Sequence, residues 1–149
     1  VLHARYTRIE ILAAFGVGVG ATAPLWQSGV YWAAEERSDL FAFTLDKTSG
    51  KFSPTTRYRD YAISPRLVHW ESQSTTRAES DIGRRYQSHV ATGSRVMLFA
   101  RRRTDERAFY FLGPAVYVKH ESEQPMAITW RLNDSLPGDL FAEFAAAVA

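Results

Sequence analysis

Apolar positions along the chain follow two rhythms, and the places where the rhythm changes mark the elements. In "RYTRIEILAAFG" the residues Ile9, Leu12, Ala13 and Phe15 recur at helical spacing, and Gly16 follows as a stop signal, so a short first helix is predicted. "GVYWAAEERSDLFAFTLDK" reads as two strands, Val30 to Glu35 and Leu40 to Leu45, joined in a hairpin by a charged turn at Glu36 to Asp39. The stretch from Thr48 to Pro65 is polar and turn-rich, after which "RLVHWES" resumes a strand. "TTRAESDIGRRYQSHV" fits a helix, with an irregular loop as the competing reading because of Gly83. "SRVMLFARR" and "RAFYFLGPAVYVKHE" are strand-like and linked by "RTDER", with Gly113-Pro114 marking a break or bulge in the second. "MAITWRL" is a last strand, and "PGDLFAEFAAAVA" closes as a helix with Asp139 as its N-cap and Leu140, Phe141 and Phe144 as its apolar face.

Five to seven strands flanked by terminal helices predict an α+β fold. The expected architecture is a single domain over residues 1–149 with a strongly curved antiparallel sheet or partial barrel. A chain of 149 residues with 46% hydrophobic and 13% aromatic residues has the size and composition to bury a substantial core. No apolar run approaches bilayer length, and "VLHARYTRIEIL" lacks the uninterrupted apolar core of a signal peptide, so a cytoplasmic protein with no membrane partner is expected. The absence of cysteine excludes disulfides and thiolate metal sites. The three glycines of "GVGVGATAP" lack the preceding strand and the spacing of a dinucleotide fingerprint, and His3, His69, His89 and His120 lack zinc-site spacing, so no cofactor or metal is expected.

Charge sharpens this picture. The formal net charge is only +2, yet of the 18 basic residues only Lys47, Lys51 and Lys119 are lysine. Arginine's planar fork suits bidentate contacts to phosphate and to guanine edges, so the bias leans towards nucleic acid; a GC-rich genome produces the same excess. Hydroxyls and amides also fix position on a phosphate backbone. The loop "SQSTTR" therefore offers Ser72, Gln73, Ser74, Thr75, Thr76 and Arg77 as a clamp. Its candidate partners are Arg84 and Arg85 in "GRRY", Arg101 in "FARRR", and Arg5, Arg8 and Arg57. On a strand, Arg101 and Arg103 would share one face and Arg102 the other.

Taken together, "SGVYW", "DLFAFTLDK", "FSPTTRYRDYAISP", "HWESQS", "LFARRR", "FYFLGPAVYVKHE" and "PMAITWRL" resemble a bacterial family of uncharacterised domains. That family is often found C-terminal to superfamily-two helicase and phospholipase-D-type nuclease modules, and is suspected of reading DNA in restriction-like systems. The resemblance runs from Gly29 to Leu132. Larger members carry helicase and nuclease parts that this chain lacks, so the resemblance implies a stand-alone recognition domain and not an enzyme. It is similar in implied role to SRA and PUA-like readers, curved β domains that hold a flipped, modified base. The implied partner is double-stranded DNA methylated at cytosine, and a homodimer is compatible with the sequence.

A methylcytosine pocket needs π-faces for stacking, an acceptor for the exocyclic amine and an apolar spot for the methyl group. In "YRDY", Tyr58 and Tyr61 supply the faces and Asp60 the acceptor, with Trp26, Trp32 or Trp70 closing the pocket; the competing reading places the tryptophans in the core. Two other function classes stay open. Asp60 and Glu71, with Gln73 in the place of a lysine, resemble a degenerate metal-dependent nuclease core, although the family form has Gln where this chain has Glu71. A protein-docking module of a defence complex would instead present exposed aromatics and the C-terminal helix.

Overall fold

Residues 38–45 are buried throughout, and their alternation shows why: Leu40 and Ala42 join one hydrophobic cluster, Phe41 and Phe43 another. Successive side chains of a strand point to opposite faces, so the sheet they belong to is covered on both sides. The computed structural model describes residues 1–17, 26, 29–45, 60–72 and 76–148. In chain order the described elements are β1 (Arg5–Thr7), α1 (Arg8–Ala14), β2 (Val30–Ala33), β3 (Ser38–Thr44), β4 (Tyr61–Ala62) and β5 (Leu67–Glu71). They continue with α2 (Asp81–Thr92), β6 (Arg95–Arg101), β7 (Ala108–Glu121), β8 (Ala127–Leu132) and α3 (Gly138–Val148).

The strands form one sheet in the order β2-β3-β6-β7-β8-β5-β4, with β1 paired to β7 off this path. The α+β class stands, but the sheet is mixed where the sequence predicts an antiparallel one, because β3 and β6 run parallel from Ser38↔Arg95 to Thr44↔Arg101. Parallel neighbours need a long crossover, and the chain between them supplies it as β4, β5 and α2. Among the described strands the sheet is also not closed: β2 and β4 are its ends. One face is covered by Ile11, Leu12 and Trp26 against Leu40, Met97, Phe99 and Phe109. On the other face Tyr86 of α2 and Leu140 and Phe144 of α3 pack against Phe41, Trp70, Ile128 and Trp130.

Local chemistry explains the helix bounds. Thr7 caps α1 in a reciprocal box, its hydroxyl accepting from the Glu10 N–H at 3.3 Å while the Glu10 carboxylate accepts from the Thr7 N–H at 2.9 Å. Ser80 caps α2 by accepting from the Gly83 N–H at 3.1 Å, and Gly93 ends it at φ 78°. Gly83, which weakens the helical reading of this segment, is required by packing: a Cβ there would lie 2.1 Å from the Arg77 carbonyl oxygen. Asp139 sits in the first turn of α3 and is not its N-cap, since the helix begins at Gly138 and Phe141 N–H already bonds the Pro137 carbonyl. The break expected at Gly113-Pro114 is a register shift against β6, with Gly113 at φ 97°. Among the described residues no helix is long and apolar enough to cross a membrane.

Candidate nucleic-acid interface

Three segments bring arginines to one place. The pairing Thr7↔Ala108 sets the β1–α1 junction beside the start of β7, and Ala100↔Tyr110 sets the end of β6 against the same strand. Between them lies a cleft of about 220 Å³ lined by Thr7, Arg8, Ile9, Arg101 and Arg107. A water occupies about 30 Å³ of liquid, so the cleft has room for a phosphate group. Arg8 and Arg101 both place their guanidinium groups over the buried Phe109 ring, at 5.0 and 4.5 Å, and Arg8 also lies 5.8 Å over Trp26. Arg101 is held in position by Thr44 Oγ1, which accepts from its Nε at 2.8 Å, and by the Glu106 carbonyl at 2.6 Å. Arg8 Nε is shielded from water and has no hydrogen-bond partner among the described residues.

The charge distribution around the cleft is uneven. Among the described residues no carboxylate forms an ion pair with Arg8, Arg101 or Arg107, whereas the neighbouring arginines are all paired. Arg5 and Arg102 reach Glu106 at 4.0 and 3.4 Å, Arg102 also reaches Glu143 at 3.8 Å, and Arg103 reaches Asp105 at 3.6 Å. Burial lowers the pKa of Arg8, and burial followed by the charge of Arg8 lowers that of Arg101 against the weaker opposing pull of Glu106 and Asp105. Both effects disfavour the bare cations, and an anion placed between them would relieve both.

The other sequence candidates are dispersed. Arg57, Tyr58, Gln73, Ser74 and Thr75 lie outside the described residues. Ser72 is buried, its hydroxyl accepting from the Met126 N–H at 2.8 Å, and Thr76 is buried with its carbonyl accepting from Gln124 N–H. Both tie the loop to the β7–β8 connection. Arg77 and Arg84 are exposed. Trp26 and Trp70 are buried in clusters on opposite faces of the sheet, so they do not close one pocket. Trp32 lies on the edge strand β2 beneath the Arg85 guanidinium, 4.4 Å from its ring. Asp60 is buried and accepts from the Glu71 N–H at 3.0 Å. Tyr61 is half-buried on β4 and stacks on His69 at 4.7 Å. Because β6 ends at Arg101, strand alternation does not extend to Arg102 and Arg103, which sit in the following turn. Arg107, which completes the cleft, is the residue the sequence reading missed; only its basic type and its place after the "RTDE" turn pointed to it.

Arg85 departs most from its expected role. Its Nε and one terminal nitrogen donate to the two carboxylate oxygens of Asp39, each at 2.8 Å, so this fork holds a buried carboxylate and is not presented to a phosphate. Asp39 is fully buried on β3; burial pushes its carboxyl up against the pull of Arg85, and the Asp39 hydrogen bonds hold Arg85 protonated.

One helical turn on, His89 is buried and its Nε2 accepts the Tyr117 N–H of β7 at 3.1 Å, so the neutral ring is the form that fits. Burial lowers its pKa below the ordinary 6.5, with a Ser94 backbone bond and the Asp39 charge acting in the opposite direction. The unfolded chain therefore takes up this proton first. Stability from His89 is complete above about pH 6.5 and is lost as pH falls through the lowered folded value, by at most about 1.4 kcal/mol per pH unit for one proton. Urea denaturation across this range is expected to show that decline in the native protein and a shallower one in His89→Gln; equal slopes would assign the proton uptake elsewhere.

The fold and the cleft together define an α+β domain with three arginines gathered at one cleft. The chain belongs to the family of the domain of unknown function DUF3427, whose model matches residues 1–144. No curated protein matches the chain.

Proposed function

We propose that the protein is a DNA-binding domain that seats a phosphate of duplex DNA in the Arg8–Arg101–Arg107 cleft. The observation that carries this reading is that three arginines line one cleft while the carboxylates nearby are committed to other arginines. Arginine forks match phosphate geometry, and aromatic support from Phe109 and Trp26 orients two of them before a ligand arrives. The resemblance of residues 29–132 to domains that accompany helicase and nuclease modules supports DNA as the source of the phosphate.

Preference for 5-methylcytosine, and with it a role as a reader related to restriction systems, is the finer part of the same proposal. It rests on Tyr61, Asp60 and Tyr58, because Trp26 and Trp70 are occupied in the core. The reading assigns the domain recognition and no catalytic step.

A salt series on purified protein and a labelled duplex tests it. Each phosphate contact contributes about −0.9 to the slope of log affinity against log salt, so Arg107→Gln is expected to flatten the slope by about that amount and to weaken all sequences alike. Arg107 is exposed, which keeps folding out of the comparison. Salt-insensitive binding, or an unchanged slope in both Arg107→Gln and Arg101→Gln, would remove the cleft from the interface. Duplexes with and without 5-methylcytosine, run in the same series, test the finer part, which equal binding removes.

A further inference from the structure

Around the cleft, the arginines without an ion-pair partner among the described residues are gathered at a point and not spread along a line. Arg5, Arg102 and Arg103 flank the cleft and could have extended it into a basic track, but Glu106, Glu143 and Asp105 neutralise them. Among the described residues beside the cleft, what remains is Arg8, Arg101 and Arg107 around about 220 Å³. An internal stretch of duplex presents the opposite pattern: one monoanionic phosphodiester about every 3.4 Å along each strand. Each diester has two free oxygens, and each is flanked by two sugars that a cavity would have to admit.

Building on the DNA-binding reading, we infer that the cleft takes the terminal phosphate of a DNA end, a phosphomonoester dianion, in preference to an internal phosphodiester. A phosphomonoester carries a charge of about −1.5 to −2 at neutral pH and three free oxygens, one for each arginine that lines the cleft. Arg8 lines the cleft with its guanidinium set over Phe109 and Trp26, and its Nε–H, shielded from water, has no acceptor among the described residues, which leaves the group without a competing hydrogen bond there. Arg101, already fixed by Thr44 Oγ1 and the Glu106 carbonyl, keeps its other N–H groups for a ligand without a search over rotamers. Exposed Arg107 completes the lining with a third guanidinium.

The test uses the whole chain and three hairpin duplexes of one sequence, each with a single open end that is 5′-phosphorylated, 3′-phosphorylated or hydroxyl-terminated. Anisotropy titrations are expected to show one phosphorylated hairpin binding about tenfold tighter than the hydroxyl form, a difference of about 1.4 kcal/mol. The arm that gains identifies which end is read. Millimolar inorganic phosphate should abolish that gain, and so should Arg107→Gln or Arg8→Gln, with Arg107→Gln retaining the native melting temperature. If all three hairpins bind equally and remain salt-sensitive, the terminal-phosphate inference fails while DNA binding stands. If none binds, both fall together. A phosphate preference that survives both arginine variants overturns the assignment to this cleft.

Discussion

Replacing Arg85 with alanine is expected to lower the unfolding free energy by about 3–5 kcal/mol, the range for removing one partner of a buried ion pair. Asp39 has no exposed side-chain surface, and both of its oxygens receive their hydrogen bonds from Arg85 at 2.8 Å. Without the guanidinium a carboxylate remains inside the sheet–helix interface with nothing to replace water, and α2 loses the clamp that fixes it to β3. The Trp32 and Tyr86 rings also lose the cation at 4.4 and 6.0 Å. The loss should shrink in the double variant Asp39→Asn/Arg85→Ala, which removes the stranded charge, and it should shrink in the single variant as acid protonates Asp39. Urea denaturation of the three proteins measures this. A phosphate-contacting arginine at the surface would instead change stability by no more than about 0.5 kcal/mol, and that result for Arg85→Ala would contradict the internal role.

This pair shows where sequence reading reaches its limit. Short apolar, aromatic-rich runs bounded by polar turns located β3, β6 and β8 closely, and helical spacing with a Gly stop located α1, because those signals are local. The residue type of Asp39 places it in the turn of the hairpin, since aspartate is depleted in strands, whereas it lies within β3. Its counterion lies 46 residues away, and no local pattern encodes that. The parallel β3–β6 pair and the short β1 were hidden for the same reason: strand partners are chosen by the tertiary fold. Arg5, Arg8 and Arg101 were legible by type. Their division into ion-paired Arg5 and, among the described residues, Arg8 and Arg101 without a carboxylate partner is not, because it depends on where the β6–β7 turn carries Glu106.

The tryptophans pose the same question, and it can be settled by stability. Trp70→Ala is expected to cost about 3–5 kcal/mol, the usual cost of deleting a large buried aromatic side chain. Trp70 is 4% exposed, lies 4.5 Å from the Phe41 ring and meets Tyr86 edge-on at 5.7 Å, so its removal opens a cavity at the junction of β3, β5 and α2. Phe41 is held by a strand paired on both sides and Tyr86 by the helix packed over it, so the surroundings can collapse only partly into that space. Tyr61 offers the contrast: half-buried on the edge strand β4, with its stack on His69 reaching the surface, it should cost far less when truncated. Urea denaturation and DNA titration of Trp70→Ala and Tyr61→Ala, taken together, separate core from contact. Trp70→Ala should lose stability and lose DNA binding only in proportion to the fraction unfolded, whereas Tyr61→Ala should fold normally and carry any change in base preference. A Trp70→Ala protein of native stability with impaired binding would return that ring to the ligand surface, where a flipped base could stack on it.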